Sequence, residues 1–217
     1  MPKQPAAAFD NVFAFAPNRE TLGATAYLIV EKDGNILIDC PAWDEGTQQF
    51  LQEKGGVRWL VITHRGSIGS ARKLQADCNC AIAMQEQEAY LLPGLDITKF
   101  QHELTLQPNL QLVWTPGHSP GSTCVYYAEH GGILFTGRHL LPDQHGNPVP
   151  LRTAKTFHWP RQLRSVEKLF DSFSTETLQF ICPGANTGLL RGKRSIDRAY
   201  ARLQQINLEA QRTVSVY

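Results

Sequence analysis

The sequence predicts an α+β fold in which two β-sheets pack face to face between outer helices, a four-layer αββα sandwich. Hairpins and strand–helix units each occur twice along the chain, and two sheets with outer helices are the simplest way to assemble them. The chain has 217 residues, of which 42% are apolar and 19% charged. This length and composition are typical of a globular domain with a full core, so we expect one domain over residues 1–217.

The first half of the chain alternates apolar runs with polar turns and amphipathic segments. Asp44 is a good N-cap for a helix, and Gly55-Gly56 is a good stop signal for the same helix. The following apolar run is expected to be buried on both faces. The predicted elements are a hairpin of strands 24–31 and 36–39, a helix over 44–54, a strand over 57–62, a helix over 69–77, a strand over 80–84 and a helical turn near 85–91.

The second half begins after the chain break at Pro93-Gly94 and repeats the same kinds of element. Pro160 suits the first turn of a helix because its missing N–H is not needed there. The predicted elements are strands over 103–106 and 110–114, a hairpin of 122–128 and 133–135, a loop over 140–156, a helix over 160–173, a strand over 178–182 and an amphipathic helix over 195–213.

Charge and cysteine usage exclude several classes of function. The net charge is +1, so no broad positive field indicates a nucleic acid or an acidic membrane surface as partner. The short basic run at 191–194 is interpreted as a solvated surface. The five cysteines have no metal-finger spacing, and the N-terminus lacks the apolar run of a secretory signal. Since no stretch is long enough to span a membrane either, we expect a soluble, cytoplasmic protein with reduced thiols.

Four short segments carry a specific pattern. The apolar run ending at Ile62 leads into Thr63-His64 and a turn of small residues that opens a helix. The other three segments read Thr-Pro-Gly-His-Ser-Pro-Gly-Ser at 115–122, Leu-Phe-Thr-Gly at 134–137 and Ile-Cys-Pro-Gly at 181–184. In this combination and order they resemble the metallo-β-lactamase superfamily. The resemblance covers nearly the whole chain and implies the αββα sandwich, with an active site where loops after several strands converge.

The resemblance also implies a set of metal ligands, and the first motif lacks most of them. The family has Thr-His-x-His-x-Asp-His, in which His64 matches the first His and Gly66 stands at the second. Aligned without a gap, the Asp and the last His fall on Ile68 and Gly69. Aligned with a two-residue deletion, the last His falls on Ser67. None of these residues is a zinc ligand, because zinc is held by imidazole, thiolate or carboxylate groups.

The later motifs show the same pattern of loss. His118 matches the family's next ligand within an intact turn. The bridging Asp expected after the third segment is Arg138, and the final His expected after the fourth segment is Ala185. Two of the seven expected ligands therefore remain, namely His64 and His118, and both belong to the first metal position.

Arg138 is the replacement with the largest electrostatic consequence. A guanidinium stays protonated, does not ligate a metal and repels a divalent ion. At an effective dielectric constant near 20, two like unit charges about 4 Å apart cost about 4 kcal/mol, and a divalent ion about doubles that. Asp39 matches a family position near the metal, and a buried carboxylate needs a partner. We expect Arg138 to compensate the charge of Asp39, directly or through a water.

Three functions compete at this point. The first is a pseudoenzyme: a non-catalytic member of the fold whose metal-free cleft binds a small anionic ligand or a protein partner. It needs no cofactor, and no nucleic acid, membrane or particular oligomeric state is predicted for it. The residues that we expect to line this cleft are His64, Arg65, Ser67, Asp39, His118, Arg138 and Ala185.

The second function is a mononuclear metal-dependent hydrolase of glyoxalase II-like type, in which a zinc-bound water cleaves an ester or thioester. It needs His64, His118 and a third ligand such as His139, Cys40 or Cys182. The third function is a scaffold within a homo-oligomer, which no repeat or coiled coil in the sequence supports. The number of lost ligands favours the pseudoenzyme.

Overall fold

The computed structural model of the protein describes residues 4–216. Within that range the chain forms two compact units, of which the first ends at Gln101 and the second begins at His102. Both units combine a β-sheet with α-helices, so the predicted α+β class is confirmed. The single domain over residues 1–217 stays a prediction.

The first unit contains a seven-stranded sheet in which the strands lie in chain order. The first four strands pair antiparallel, and the last four pair parallel. Two helices supply the first two of the three crossovers that the parallel neighbours require, and a short 3-10 helix (Ala89–Leu91) lies in the third. The strands are β1 (Ala6–Phe9), β2 (Val12–Ala14), β3 (Tyr27–Ile29), β4 (Ile36–Ile38), β5 (Trp59–Ile62), β6 (Ala81–Gln85) and β7 (Ile97–Phe100), and the helices are α1 (Glu45–Glu53) and α2 (Ala71–Cys78).

The local signals of the sequence explain the elements of this unit. The Asp44 side chain caps α1 by accepting a hydrogen bond of 2.8 Å from the Thr47 N–H, and Gly55 follows the helix with a positive φ. Leu51 of α1 and Leu74 of α2 belong to one buried cluster with inward-facing side chains of the sheet. The predicted hairpin, both helices and the strands over 57–62 and 80–84 are confirmed. Strands β1, β2 and β7 were not predicted.

The second unit contains a six-stranded sheet and a two-stranded ribbon. In the sheet the strands lie in the order β15, β14, β11, β10, β9, β8, and the parallel pair β11 and β14 is connected through the longest helix, α3. The strands are β8 (Glu103–Gln107), β9 (Leu110–Trp114), β10 (Thr123–Tyr127), β11 (Ile133–Gly137), β12 (Leu141–Pro142), β13 (Pro148–Val149), β14 (Phe180–Pro183) and β15 (Ile196–Asp197), and the helices are α3 (Trp159–Ser172), α4 (Ala199–Leu203) and α5 (Leu208–Arg212).

Two predictions about this unit need correction. The expected loop over 140–156 contains the ribbon of β12 and β13. The expected helix over 195–213 is instead the short strand β15 followed by two short helices. Asn207 separates these helices because its side chain accepts a hydrogen bond of 3.0 Å from the Ala210 N–H and starts a new helix there. None of the helices in residues 4–216 is long and apolar enough to cross a membrane.

Candidate functional site

Asp39 is anchored at the carboxyl end of β4 in the first unit. It is 1% exposed and has a positive φ of 62°, a conformation that Asp adopts more readily than most residues. Its carboxylate accepts hydrogen bonds from the Thr63 N–H at 2.8 Å and from the Thr63 hydroxyl at 2.7 and 2.9 Å. The carboxylate therefore has neutral donors on the neighbouring strand. The charge compensation of Asp39 by Arg138 stays a prediction.

Removal of the Asp39 carboxylate is expected to destabilise the first unit. Asp39→Ala leaves the buried N–H and hydroxyl of Thr63 without their acceptor and places Ala at a positive φ, so we expect a loss of about 2–4 kcal/mol in the free energy of unfolding. Asp39→Asn keeps an acceptor oxygen and tolerates this φ, and its expected loss is about 1 kcal/mol. Urea unfolding followed by circular dichroism measures both values. Equal losses in the two variants would contradict this role of the carboxylate.

His64 is held against the turn that follows β5. It is 2% exposed, and its Nδ1 atom lies 2.8 Å from the hydroxyl oxygen of Ser67, which is fully buried. A Cβ atom added at Gly66 would lie 3.2 Å from Cε1 of the His64 ring. A side chain at position 66, where the family has its second His, would thus press on the ring in its present position. The neighbouring Arg65 is exposed, and its N–H donates a 2.8 Å hydrogen bond to the buried carboxylate of Glu88.

His118 lies in a tightly bonded loop of the second unit. The hydroxyl oxygen of Ser122 accepts a 2.8 Å hydrogen bond from the Ser119 N–H, so both serines stabilise the turn. The carbonyl oxygens of Gly117 and His118 accept hydrogen bonds from the N–H groups of residues 158 and 157, at 2.9 and 3.0 Å. The loop is therefore fixed against the start of α3, with the half-buried His118 side chain at its tip.

Arg138 and Ala185 follow neighbouring strands of the second sheet. The Gly184 N–H donates a 2.8 Å hydrogen bond to the carbonyl oxygen of Gly137, which joins the ends of β14 and β11. An added Cβ at Gly184 would lie 2.7 Å from the Cα of Gly137, so the approach requires glycine. The strand ends thus place the half-buried Arg138 and the buried Ala185 at adjacent positions.

His139 is the most unusual titratable group of the second unit. It is 1% exposed, and neither ring nitrogen has a hydrogen-bond partner within residues 4–216. Burial and, to a smaller extent, the charge of the nearby His118 together lower the pKa of His139 to about 3. Its carbonyl oxygen accepts a 2.9 Å hydrogen bond from the fully buried amide of Gln162 on α3. The ring of His139 is therefore a neutral imidazole near His118.

The residues at the expected ligand positions do not fit the metal pair that the fold family implies. Across residues 4–216, no group of three or more His, Cys, Asp and Glu side chains is placed to hold a metal ion. Burial also raises the pKa values of the Cys40 and Cys182 thiols, which opposes the thiolate form that binds metals. His64 and His118 have imidazole groups that can bind a metal ion. Gly66, Arg138 and Ala185 stand at other ligand positions of the family and provide no atom that can bind one.

Comparison with known proteins finds similarity to the superfamily that the motifs resemble. A model of the metallo-beta-lactamase superfamily matches residues 68–173. The chain is 23% identical over 141 residues to the probable metallo-hydrolase YqgX of Bacillus subtilis (strain 168), a match that covers 54% of this chain and 66% of YqgX. It is 24% identical over 172 residues to the uncharacterized protein YmaE of the same organism, covering 70% of this chain and 63% of YmaE. The chain thus spans slightly less than two thirds of the length of these relatives.

The solved structures with a similar backbone include TTHA1623, which was crystallised in a di-iron-bound form. Its TM-score to this chain is 0.68 at 19% sequence identity, and the match covers 87% of this chain and 96% of TTHA1623. A metallo-beta-lactamase superfamily protein of Sulfolobus tokodaii, ST1585, has a TM-score of 0.64 to this chain at 14% identity, and the match covers 95% of this chain and 89% of ST1585. At these identities the likenesses show the fold alone, and they confirm the predicted metallo-β-lactamase fold.

Three residues of the site region were not predicted from the sequence. Thr63 and Glu88 supply local partners to the segments after β4 and β5, and Gln162 anchors the carbonyl group of His139. Gln162 lies one turn inside the predicted helix that starts near Pro160, but a buried amide has no periodic signature. The partners of Asp39 and Arg65 depend on strand pairing, which a single sequence does not specify.

Proposed function

We propose that this chain is a non-catalytic member of the metallo-β-lactamase superfamily that binds a small anionic ligand or a protein partner without a metal ion. One observation supports this proposal more than any other. The loops that carry the family's ligands keep tight backbone contacts, while the side chains at the ligand positions are Gly66, Arg138 and Ala185. A hydrolase weakened by one substitution would have lost one metal ligand, whereas the ligands missing from this chain lie in three separate segments.

Charge supports an anionic ligand as the first choice. Arg138 stands where the family has a bridging carboxylate, so the local charge at this position changes from negative to positive. In the first unit, Arg65 is an exposed cation directly beside His64. Guanidinium groups bind carboxylates and phosphates in a bidentate manner, and they need no metal to do so. In this proposal Arg138 provides the positive charge that metal ions provide in catalytic relatives.

The test of this function is the metal content of the full chain together with its hydrolytic activity. Protein purified without chelators or nickel resin is expected to contain less than about 0.1 equivalent of zinc, iron or manganese per chain by elemental analysis. It is also expected to hydrolyse no ester, thioester or lactam in a broad panel. His118→Ala is the matched variant, and it is expected to leave the metal content unchanged.

A mononuclear hydrolase is the second candidate, and the names of two similar proteins support it. YqgX is named a probable metallo-hydrolase, and TTHA1623 binds two iron ions. In this chain a single metal would be held by His64, His118 and a third ligand such as His139. About one equivalent of metal per chain, lost in His118→Ala together with a hydrolytic activity, would establish this function and overturn the non-catalytic one.

We also propose a cytoplasmic location. All five cysteines lie within the described residues and are free, and four of them are buried. Cysteines that remain reduced are typical of a reducing compartment. Fractionation of the native host cells with an antibody against the chain tests this location.

A further inference from the structure

A second candidate binding site lies in the second unit, at a cavity of about 330 Å³. Its walls are formed by the turn between β12 and β13, by the loop before β15 and by one side chain of α4. The residues that decide its chemistry are His145, Leu189, Arg191, Lys193, Asp197 and Arg202. None of the candidate-site residues named above lines this cavity.

Positive charge predominates in the lining. Arg191, Lys193 and Arg202 carry three positive charges against the single carboxylate of Asp197. That carboxylate is shared, since it lies 2.9 Å from Nη2 of Arg202 and 3.9 Å from Nζ of Lys193. Arg191 and Lys193 are exposed at the mouth of the cavity. A ligand with about two negative charges would therefore balance the excess positive charge of the lining.

Arg202 is held in one position by its neighbours. Its Nη1 atom donates a 3.0 Å hydrogen bond to the side-chain oxygen of Asn147, and its Nη2 atom bonds Asp197. Asp143 in turn accepts 2.8 Å hydrogen bonds from the N–H groups of residues 145 and 147, which fixes the turn that carries Asn147. A guanidinium that is held in one orientation by its neighbours is preorganised for an anionic ligand.

We propose that this cavity binds the phosphate group of a small organic phosphomonoester. A phosphomonoester carries close to two negative charges near pH 7 and accepts hydrogen bonds through three oxygen atoms. A cavity of this size is at the lower end of the range for small-molecule sites and has room for more than inorganic phosphate. Leu189, which is 40% exposed, provides apolar surface for the organic part.

The experiment is an NMR titration of the isotope-labelled full chain with glycerol 3-phosphate, inorganic phosphate and glycerol. Glycerol 3-phosphate is expected to shift the amide resonances of residues 189–197 and 202 in a saturable manner. Inorganic phosphate is expected to shift the same resonances with weaker affinity, and glycerol is expected to shift none. The double variant R191A/K193A is expected to weaken binding of glycerol 3-phosphate by about tenfold or more, because it removes the two exposed cations and leaves Arg202 in place.

Arg194→Ala is the matched control, because Arg194 belongs to the same basic run but does not line the cavity. It is expected to change the affinity by less than about twofold. Equal weakening by Arg194→Ala and R191A/K193A would overturn the cavity as the site. The absence of saturable shifts, or tighter binding of a single-stranded oligonucleotide that depends on Arg194, would overturn the phosphomonoester site.

Discussion

Gly117→Ala is expected to reduce the free energy of unfolding of the second unit by about 3–5 kcal/mol. Gly117 has a φ of +148°, which L-residues rarely adopt. A Cβ atom built on it would lie 2.3 Å from the Cα and 2.4 Å from the backbone nitrogen of Gln162. Because these are backbone atoms of α3, no side-chain rotation relieves the overlap. Either the loop or the first turn of the helix must move.

The displaced loop would also lose contacts that fix His118. The carbonyl oxygen of Gly117 accepts a 2.9 Å hydrogen bond from the His158 N–H, and the Ser165 hydroxyl donates a 2.8 Å hydrogen bond to the carbonyl oxygen of Pro116. Both hydrogen bonds hold the loop on α3. Part of the expected loss therefore comes from these bonds and part from the strained φ, which is why the effect exceeds that of a simple surface substitution.

Gly188→Ala is the control for this prediction. An added Cβ at Gly188 has no atom within 4 Å, and the residue is exposed. We expect Gly188→Ala to stay within about 0.5 kcal/mol of the parent protein. Urea unfolding at pH 7.5, followed by fluorescence and circular dichroism, measures all three proteins. A Gly117→Ala variant within about 1 kcal/mol of the parent would show that the loop adapts and that its close approach to α3 is not required.

The elements that the sequence predicts well are those with strong local signals. The helix capped by Asp44, the helix that begins near Pro160 and the hairpin of residues 122–135 all occur within about two residues of their expected positions. The prediction of a single final helix over 195–213 was wrong, because Asn207 starts a new helix and Ile196 belongs to a strand at the edge of a sheet. A strand of two residues such as β15 is too short to show an alternating sequence pattern, so its pairing with β14 could not be predicted.

The sequence supplies candidate residues for the site, which stay a prediction, but it does not supply their hydrogen-bond partners. The positions of His64, His118 and Arg138 follow from motifs that the turns preserve. The hydrogen bonds from Thr63 to the Asp39 carboxylate could not be predicted, because they depend on the parallel pairing of β4 and β5. Composition likewise gives no sign that the ring of His139 is buried, since a histidine after a strand is equally compatible with an exposed turn.

His139 is expected to make the protein less stable in mild acid. In the folded chain its pKa is about 3, against an ordinary value of 6.5, because the buried ring is costly to charge. Below pH 6.5 the unfolded chain takes up a proton that the folded chain does not bind until about pH 3. The stability is therefore complete above pH 6.5 and falls with pH by up to about 1.4 kcal/mol per unit. Between pH 7 and pH 4.5 this amounts to about 2–3 kcal/mol.

His139→Leu is the variant that isolates this effect from the titration of carboxylates. Leu removes two ring nitrogens that have no partner among residues 4–216, so we expect its stability at pH 7.5 to equal or exceed that of the parent. At pH 4.5 the variant is expected to be more stable than the parent by about 2 kcal/mol or more, because it has no proton to bind on unfolding. His102→Gln, which removes an exposed histidine of the same unit, controls for loss of a histidine as such. Parallel stability–pH curves for the parent and His139→Leu between pH 7.5 and 4.5 would show that the His139 ring takes up a proton in the folded protein.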